Sequence, residues 1–236
     1  GLGNEKSTPD SLGPLVTSKL IVTNHFFDMN INVDDKLSKM AAIAPGVTGQ
    51  TGIETSDYVK GVVGVLKPDL VILVDALCSS SIENVNKSIQ VTDNGISPGS
   101  GIGNKRKEIS KETLNTKVIS VGIPTVIDAS TIVSDTINYM VKNYAYNKNH
   151  INEKSNKFIK GPVNYLNKET KITPADRKNF LGLVGALSDN EIKKLLYEVL
   201  TPIGYNLMVT PKEVDFTLSK LSDVISYGIN HSIHNI

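Results

Sequence analysis

Five consecutive apolar residues, Leu70-Val71-Ile72-Leu73-Val74, run straight into Asp75. A strand without polar alternation has no face to offer water, so it belongs in a sheet covered on both sides, which is the setting of parallel strands. The residues in front of it have helical spacing: Tyr58, Val62, Val65 and Leu66 mark one face of a helix from Glu54 to Leu66, and Pro68 stops it. Val118–Gly122 is a second strand, followed by a helix from Asp128 to Met140 with Ile132, Val133, Ile137 and Met140 on one face. Helix, strand, helix, strand, helix requires right-handed crossovers. The fold class is therefore α/β, in three layers, with a mixed or mostly parallel sheet and helices on both faces. At 236 residues the chain is long enough for one such domain with a sizeable core, and residues 1–236 are read as one.

Around this centre, Thr8-Pro9-Asp10-Ser11 has the form of a helix start, with Leu12, Leu15, Val16 and Leu20 as its apolar face and a short strand at Leu20–Thr23. Residues 24–40 read as irregular, and 44–52 as a turn-rich loop. Residues 76–87 fit helix or loop, and Ser88–Thr92 a short strand. Gly95–Gly103, with four glycines and a proline, is a loop. Asn- and Lys-rich residues 141–172 read as a surface excursion within the domain, and helices follow at about 174–187, 188–200 and 211–234. The opening Gly1-Leu2-Gly3-Asn4 is a turn of the kind that a buried strand normally feeds, so a strand is expected ahead of Gly1.

A formal net charge of +1 gives no global attraction to nucleic acid or to an anionic membrane surface. No apolar run approaches the ~18 residues of a membrane span. The single cysteine, Cys78, leaves no internal disulfide and fits a reducing cytoplasm.

In parallel sheets, reactive groups gather at the carboxyl ends of the strands. Asp75 is expected at one such end, and the turn carrying Asp10 at another. Two aspartates sharing a proton can activate water against a peptide carbonyl, one as base and the other as acid. Emerging from an apolar strand, Asp75 should have a raised pKa, whereas a helix N-terminus would favour ionised Asp10. The plainer alternative is that Asp10 caps its helix and Asp75 binds loop amides. Cys78 has no histidine near it in sequence and reads as a small buried residue. Only His231 and His234 share ligand-like spacing, too little for a metal site. The loop Gly99-Ser100-Gly101-Ile102-Gly103 departs from a dinucleotide fingerprint, but its amides can form an anion nest or an oxyanion-type donor set. Lys105, Arg106 and Lys107 could hold acidic substrate side chains or be a solvated basic turn. Asp128 and Glu54 read as N-caps.

Several blocks carry a resemblance. Gly1-Leu2-Gly3-Asn4 with Thr8-Pro9-Asp10-Ser11-Leu12-Gly13-Pro14, Ala44-Pro45-Gly46-Val47, Thr51-Gly52-Ile53-Glu54-Thr55, Lys67-Pro68-Asp69-Leu70-Val71 through Asp75-Ala76-Leu77, Gly95 through Glu108, Gly122 through Ala129, and Asn206 through Asp215 follow one another as in the spore germination proteases. The chain resembles that family from residue 1 to about 230, least over 141–172. The resemblance implies an atypical aspartic endopeptidase that degrades small acid-soluble spore proteins when a spore germinates, with its essential aspartates at Asp10 and Asp75. It implies no cofactor and no metal. Gly99, Ser100, Gly101, Lys105 and Arg106 are expected to contact the substrate, because the glycines let backbone approach a peptide closely and the cations suit the acidic substrates that the resemblance implies. It further implies a homotetramer in the spore core, made as an inactive precursor, and a fold similar to hydrogenase maturation peptidases. Family members carry further chain ahead of the position of Gly1. Two alternatives stand beside this reading: a metal-assisted maturation peptidase, and a catalytically silent spore protein that keeps the fold as a binding module.

Overall fold

A computed structural model describes residues 1–29, 31–103, 106–151, 170–200 and 207–236. Among these the strands are β1 (Leu70–Ser79), β2 (Gln90–Thr92), β3 (Lys117–Asp128) and β4 (Met208–Val209). The α-helices are α1 (Leu12–Thr17), α2 (Asn24–Asp28), α3 (Thr48–Thr51), α4 (Thr55–Leu66), α5 (Lys111–Leu114), α6 (Ala129–Asn149), α7 (Pro174–Leu181), α8 (Asp189–Leu200) and α9 (Val214–Ile233). β1 and β3 pair in parallel from Leu70↔Lys117 to Ser79↔Ile127, with one register shift between Leu77 and Cys78. β2 lies antiparallel on the other edge of β3, opposite residues 120–122, and β4 also pairs with β3. The sheet is open and mixed.

The chain forms two compact units, Gly1–Ile127 with Met208–Ile236, and Asp128–Leu207. In the first, successive sheet residues turn to opposite faces. Ile72, Val74 and Ala76 of β1 and Ile119, Val121 and Ile123 of β3 pack with Leu12 and Val16 of α1 and with Val214, Leu218, Ile225 and Ile229 of α9. Val71, Leu73 and Val118 face the other way, against Leu2, Val59, Val63 and Leu114. Both faces are apolar because both are covered, the three-layer arrangement expected from the uninterrupted run at Leu70–Val74. Each fully buried Leu, Ile or Val contributes on the order of 1.5–3 kcal/mol. Helix α1 lies unusually close to its neighbours: a Cβ on Gly13 would stand 2.1 Å from the Leu2 carbonyl oxygen and 2.6 Å from that of Val74.

In the second unit, the Asp128 carboxylate caps α6 by accepting from the Ser130 N–H at 2.7 Å, as its position predicts. A capping box between Thr173 and Asp176 opens α7. Buried Asp176 also binds Lys148 of α6 at 2.8 Å. The Lys148 and Thr173 hydrogen bonds pull its pKa down to about 2.

Several local expectations are corrected. β1 does not stop at Asp75; parallel pairing with β3 carries it on to Ser79. The inward face of α4 is Val59 and Val63, while Tyr58 and Val65 are 38% and 81% exposed. Its apolar second half holds two helical stripes, and only contact with β1 decides between them. Leu20–Thr23 forms no strand; Thr23 is buried in hydrogen bonds to Ser38 and Met40. α6 runs through Asn149 with Val141 and Ala145 buried, so residues 141–149 are helix and not excursion. Most of the remainder of 141–172 lies outside the described residues.

Candidate active site

The turn carrying Asp10 is built by short-range hydrogen bonds. The Asn4 N–H donates to the Asp10 carbonyl at 2.9 Å, and the Asp10 N–H donates to Ser7 at 2.8 Å, closing a short 3-10 turn over Thr8–Asp10. Gly3 has φ +109°, and a Cβ there would stand 2.1 Å from the Asp10 carbonyl, so the turn requires glycine. Asp10 ends this turn and caps no helix; α1 begins two residues later, after Ser11. Two anchors fix the turn to the sheet. Leu2 donates its N–H to the Val74 carbonyl at 2.8 Å, and buried Thr125 of β3 donates its hydroxyl to the Pro9 carbonyl at 2.6 Å.

Asp75 follows Val74 directly, and its register partner is Gly122 of β3. It is 6% exposed, and its Oδ1 accepts from the Ala76 N–H at 2.9 Å. Burial in this apolar setting, helped by the negative charge of Asp10, pushes its pKa up to about 7. Asp10 is raised as well, by burial, with a hydrogen bond from the Asn4 backbone pulling the other way. The helix-dipole expectation for Asp10 fails, since it caps no helix and burial raises its pKa, while the expectation for Asp75 holds in direction and cause. The two carboxyls lie within electrostatic reach of each other.

The glycine loop crosses β1 just beyond Asp75. A Cβ on Gly101 would stand 2.6 Å from Cys78 Cβ, so the missing side chain permits the close crossing. Gly99 and Gly103 have left-handed backbones on either side of the 3-10 turn Ser100–Ile102. Past the loop, Arg106 contacts Glu54 at 3.4 Å and Lys107 pairs with Asp57 at 2.9 Å, both at the first turn of α4. These two cations therefore have partners within the chain; Lys105 lies outside the described residues. Glu54 takes the N-cap position of α4 but makes no capping hydrogen bond, its carboxylate engaging Arg106 and the Thr48 hydroxyl.

Cys78 is half-buried on β1, with Sγ 3.9 Å from the Ser79 carbonyl. His234 is buried between the Ser38 N–H and the Ile21 carbonyl, whereas His231 is exposed and stacks on Tyr227. Among the described residues, no three His, Cys, Asp or Glu side chains gather as a metal site would need. No helix among them is long and apolar enough to cross a membrane.

The family model for germination proteases matches residues 1–236. The chain belongs to the germination protease family. It is 49% identical over 240 residues to the germination protease of Bacillus licheniformis, a match covering 99% of this chain and 65% of that protein. It is 50% identical over 241 residues to that of Oceanobacillus iheyensis, again with 99% and 65% coverage. To that of Bacillus cereus (strain AH187) it is 48% identical over 242 residues, covering 100% and 66%. The chain thus spans 65% to 66% of the length of these germination proteases, just short of two thirds.

Sequence reasoning missed Ser56, Asn4 and Gln50. Gln50 donates its side-chain amide to Asn4 Oδ1 at 2.8 Å, tying the 44–52 loop to the Asp10 turn. Ser56 is buried one turn ahead of Val59. Placing the apolar face of α4 on Tyr58, Val62 and Val65 hid it; the Val59–Val63 stripe would have turned it inward.

Proposed function

We propose that this chain is the peptidase core of a germination protease that cleaves small acid-soluble spore proteins with Asp10 and Asp75 as a water-activating pair. The observation that carries the reading is buried Asp75, raised toward neutrality by desolvation and by the charge of Asp10. Pairs of carboxyls whose protonation is held apart in this way are what acid–base hydrolysis needs. Ionised Asp10 takes a proton from water as its oxygen attacks the scissile carbonyl carbon. Protonated Asp75 then gives its proton to the leaving nitrogen as the C–N bond breaks, and the proton held by Asp10 restores the starting state. One water is consumed, and a carboxylic acid and an amine are released.

In this reading Gly99, Ser100 and Gly101 receive the substrate chain, because the glycines let an extended peptide come close to the backbone. Arg106 uses one of its five N–H donors on Glu54 and offers others to an acidic substrate. The enzyme acts as a homotetramer in the spore core and is made as an inactive precursor; exposed Ile21, Val22, Met29 and Ile31 are available to such an assembly.

The test is incubation of the full-length protein with a purified small acid-soluble spore protein. Discrete fragments are expected from the parent, and none at a comparable rate from Asp10→Asn or Asp75→Asn variants that keep the parent's circular dichroism. Rapid cleavage by either variant would end the assignment of the pair.

A further inference from the structure

The first turn of α4 is wired differently from an ordinary helix start. The leading amides of a helix have no intrahelical acceptor and are normally met by the side chain at the N-cap. Here the N-cap residue is Glu54, and it makes no such bond. Arg106 and the Thr48 hydroxyl draw its carboxylate aside, which leaves the leading amides of α4 without a side-chain cap. In the same turn Ser56 is 8% exposed, and its hydroxyl has no hydrogen-bond partner. A serine deeper in a helix can bond the carbonyl four residues back; at the second helical position that carbonyl lies outside the helix. A buried hydroxyl without a partner costs about 1–3 kcal/mol. A position that needed only a small side chain would be served better by alanine.

The fold sets where this turn lies. Residues 67–69 alone join α4 to β1, so the helix runs back antiparallel over the strand. Ser56, Val59 and Val63 fall on one helical face by their spacing. Val59 and Val63 pack with Val71 and Leu73 of β1. Going from Val63 back to Ser56 is therefore going forward along β1, from Val71 and Leu73 toward Asp75, which projects from the same face. A second set of bonds gives the same placement from the other side. Thr55 donates to the Gly46 carbonyl at 3.4 Å, and Gln50 of the same segment reaches Asn4, which opens the Asp10 turn. The start of α4 thus lies toward the Asp75 end of β1 and is tied through Thr55, the 46–50 segment and Asn4 to the turn that carries Asp10.

We propose that the N-terminus of α4, with the Ser56 hydroxyl as its side-chain donor, is the oxyanion-binding element of the peptidase. The proposal rests on the aspartate-pair reading above. When water adds to the scissile carbonyl carbon, the C=O π pair moves onto oxygen, and the developing charge is received by Ser56 Oγ–H and the leading amides of the helix. The charge returns to a C=O bond when the C–N bond breaks and nitrogen takes the proton from Asp75. Donors already fixed in a water-poor site, at the positive end of a helix dipole, suit an oxygen that is charged only in the transition state. The glycine loop then holds the substrate chain, and the helix holds the oxygen.

The experiment uses the full-length protein, a small acid-soluble spore protein or a peptide cut from it, and a peptidyl difluoromethyl ketone. The hydrate of that ketone carries the two oxygens of the tetrahedral intermediate. Ser56→Ala is expected to lower kcat by about 100-fold, the usual loss on removing one oxyanion donor, with KM within about twofold of the parent. Affinity for the ketone should fall in parallel with kcat, and the melting temperature should be equal or higher, because an unpartnered hydroxyl has been removed. Parent-like kcat and ketone affinity in Ser56→Ala, with Asp75→Asn inactive, would overturn the oxyanion assignment and leave the aspartate pair standing. A fall in kcat accompanied by a lower melting temperature, or unchanged ketone affinity, would assign Ser56 to packing and also overturn it. Substantial cleavage by Asp75→Asn would instead remove the aspartate-pair reading itself.

Discussion

Replacing Asp75 by Asn tests the electrostatics of the site without recourse to catalysis. Moving the Asp75 pKa from the usual 3.8 to about 7 means that the folded chain keeps a proton which the unfolded chain releases. Below 3.8 both states are protonated and the residue has no pH effect. Between 3.8 and about 7 the folded state binds more protons than the unfolded one, so stability falls as pH rises, and above about 7 the loss is complete. A shift of roughly three units at 1.36 kcal/mol each amounts to at most ~4 kcal/mol, an order of magnitude that suits a group only 6% exposed. Asparagine fills nearly the same space and does not titrate. Urea denaturation of the full-length parent and of Asp75→Asn, from about pH 4 to about pH 8, should give curves that diverge steadily in favour of the variant. Asp10→Asn should end the parent's decline at lower pH, because it removes a charge that opposes ionisation of Asp75. Parallel stability curves for parent and Asp75→Asn would refute the buried, raised carboxyl, and with it the proton that the mechanism places there.

Gly13→Ala should prevent stable packing of α1 on β1, because the new Cβ meets backbone oxygens of Leu2 and Val74 that cannot move independently of the strand. The loss should exceed the ~1–3 kcal/mol of ordinary overpacking and appear as a lower melting temperature. Arg106→Ala should raise KM for an acidic peptide more than for its neutral analogue. Its exposed contact with Glu54 is worth only about 0–1 kcal/mol, so the melting temperature should barely move. Equal losses on both peptides would assign the residue to the fold.

Much of this protein was legible along the chain. The unbroken apolar run at Leu70–Val74 dictated a strand covered on both faces, since no other arrangement hides five consecutive apolar side chains in an extended chain. The character of Asp75 followed from the same residues, because a carboxyl emerging from such a strand must lose its water. Asp128 was readable as an N-cap because capping is local. What lay beyond reach depended on partners distant in sequence. Asp75 did not end its strand because β3, more than forty residues later, continues the ladder past it. The pKa of Asp10 rose rather than fell because burial, which only the assembled layers create, outweighs the hydrogen bond from the Asn4 backbone. In sequence Arg106 and Lys107 could hold a substrate, be solvated or pair within the protein, and only the fold brings Glu54 and Asp57 of α4 to face them. The inward face of α4 was undecidable in sequence: its apolar half satisfies helical spacing along two stripes, and only docking on Val71 and Leu73 selects one. That choice turns Ser56 inward, because periodicity limits a helix to a few possible faces and packing selects among them.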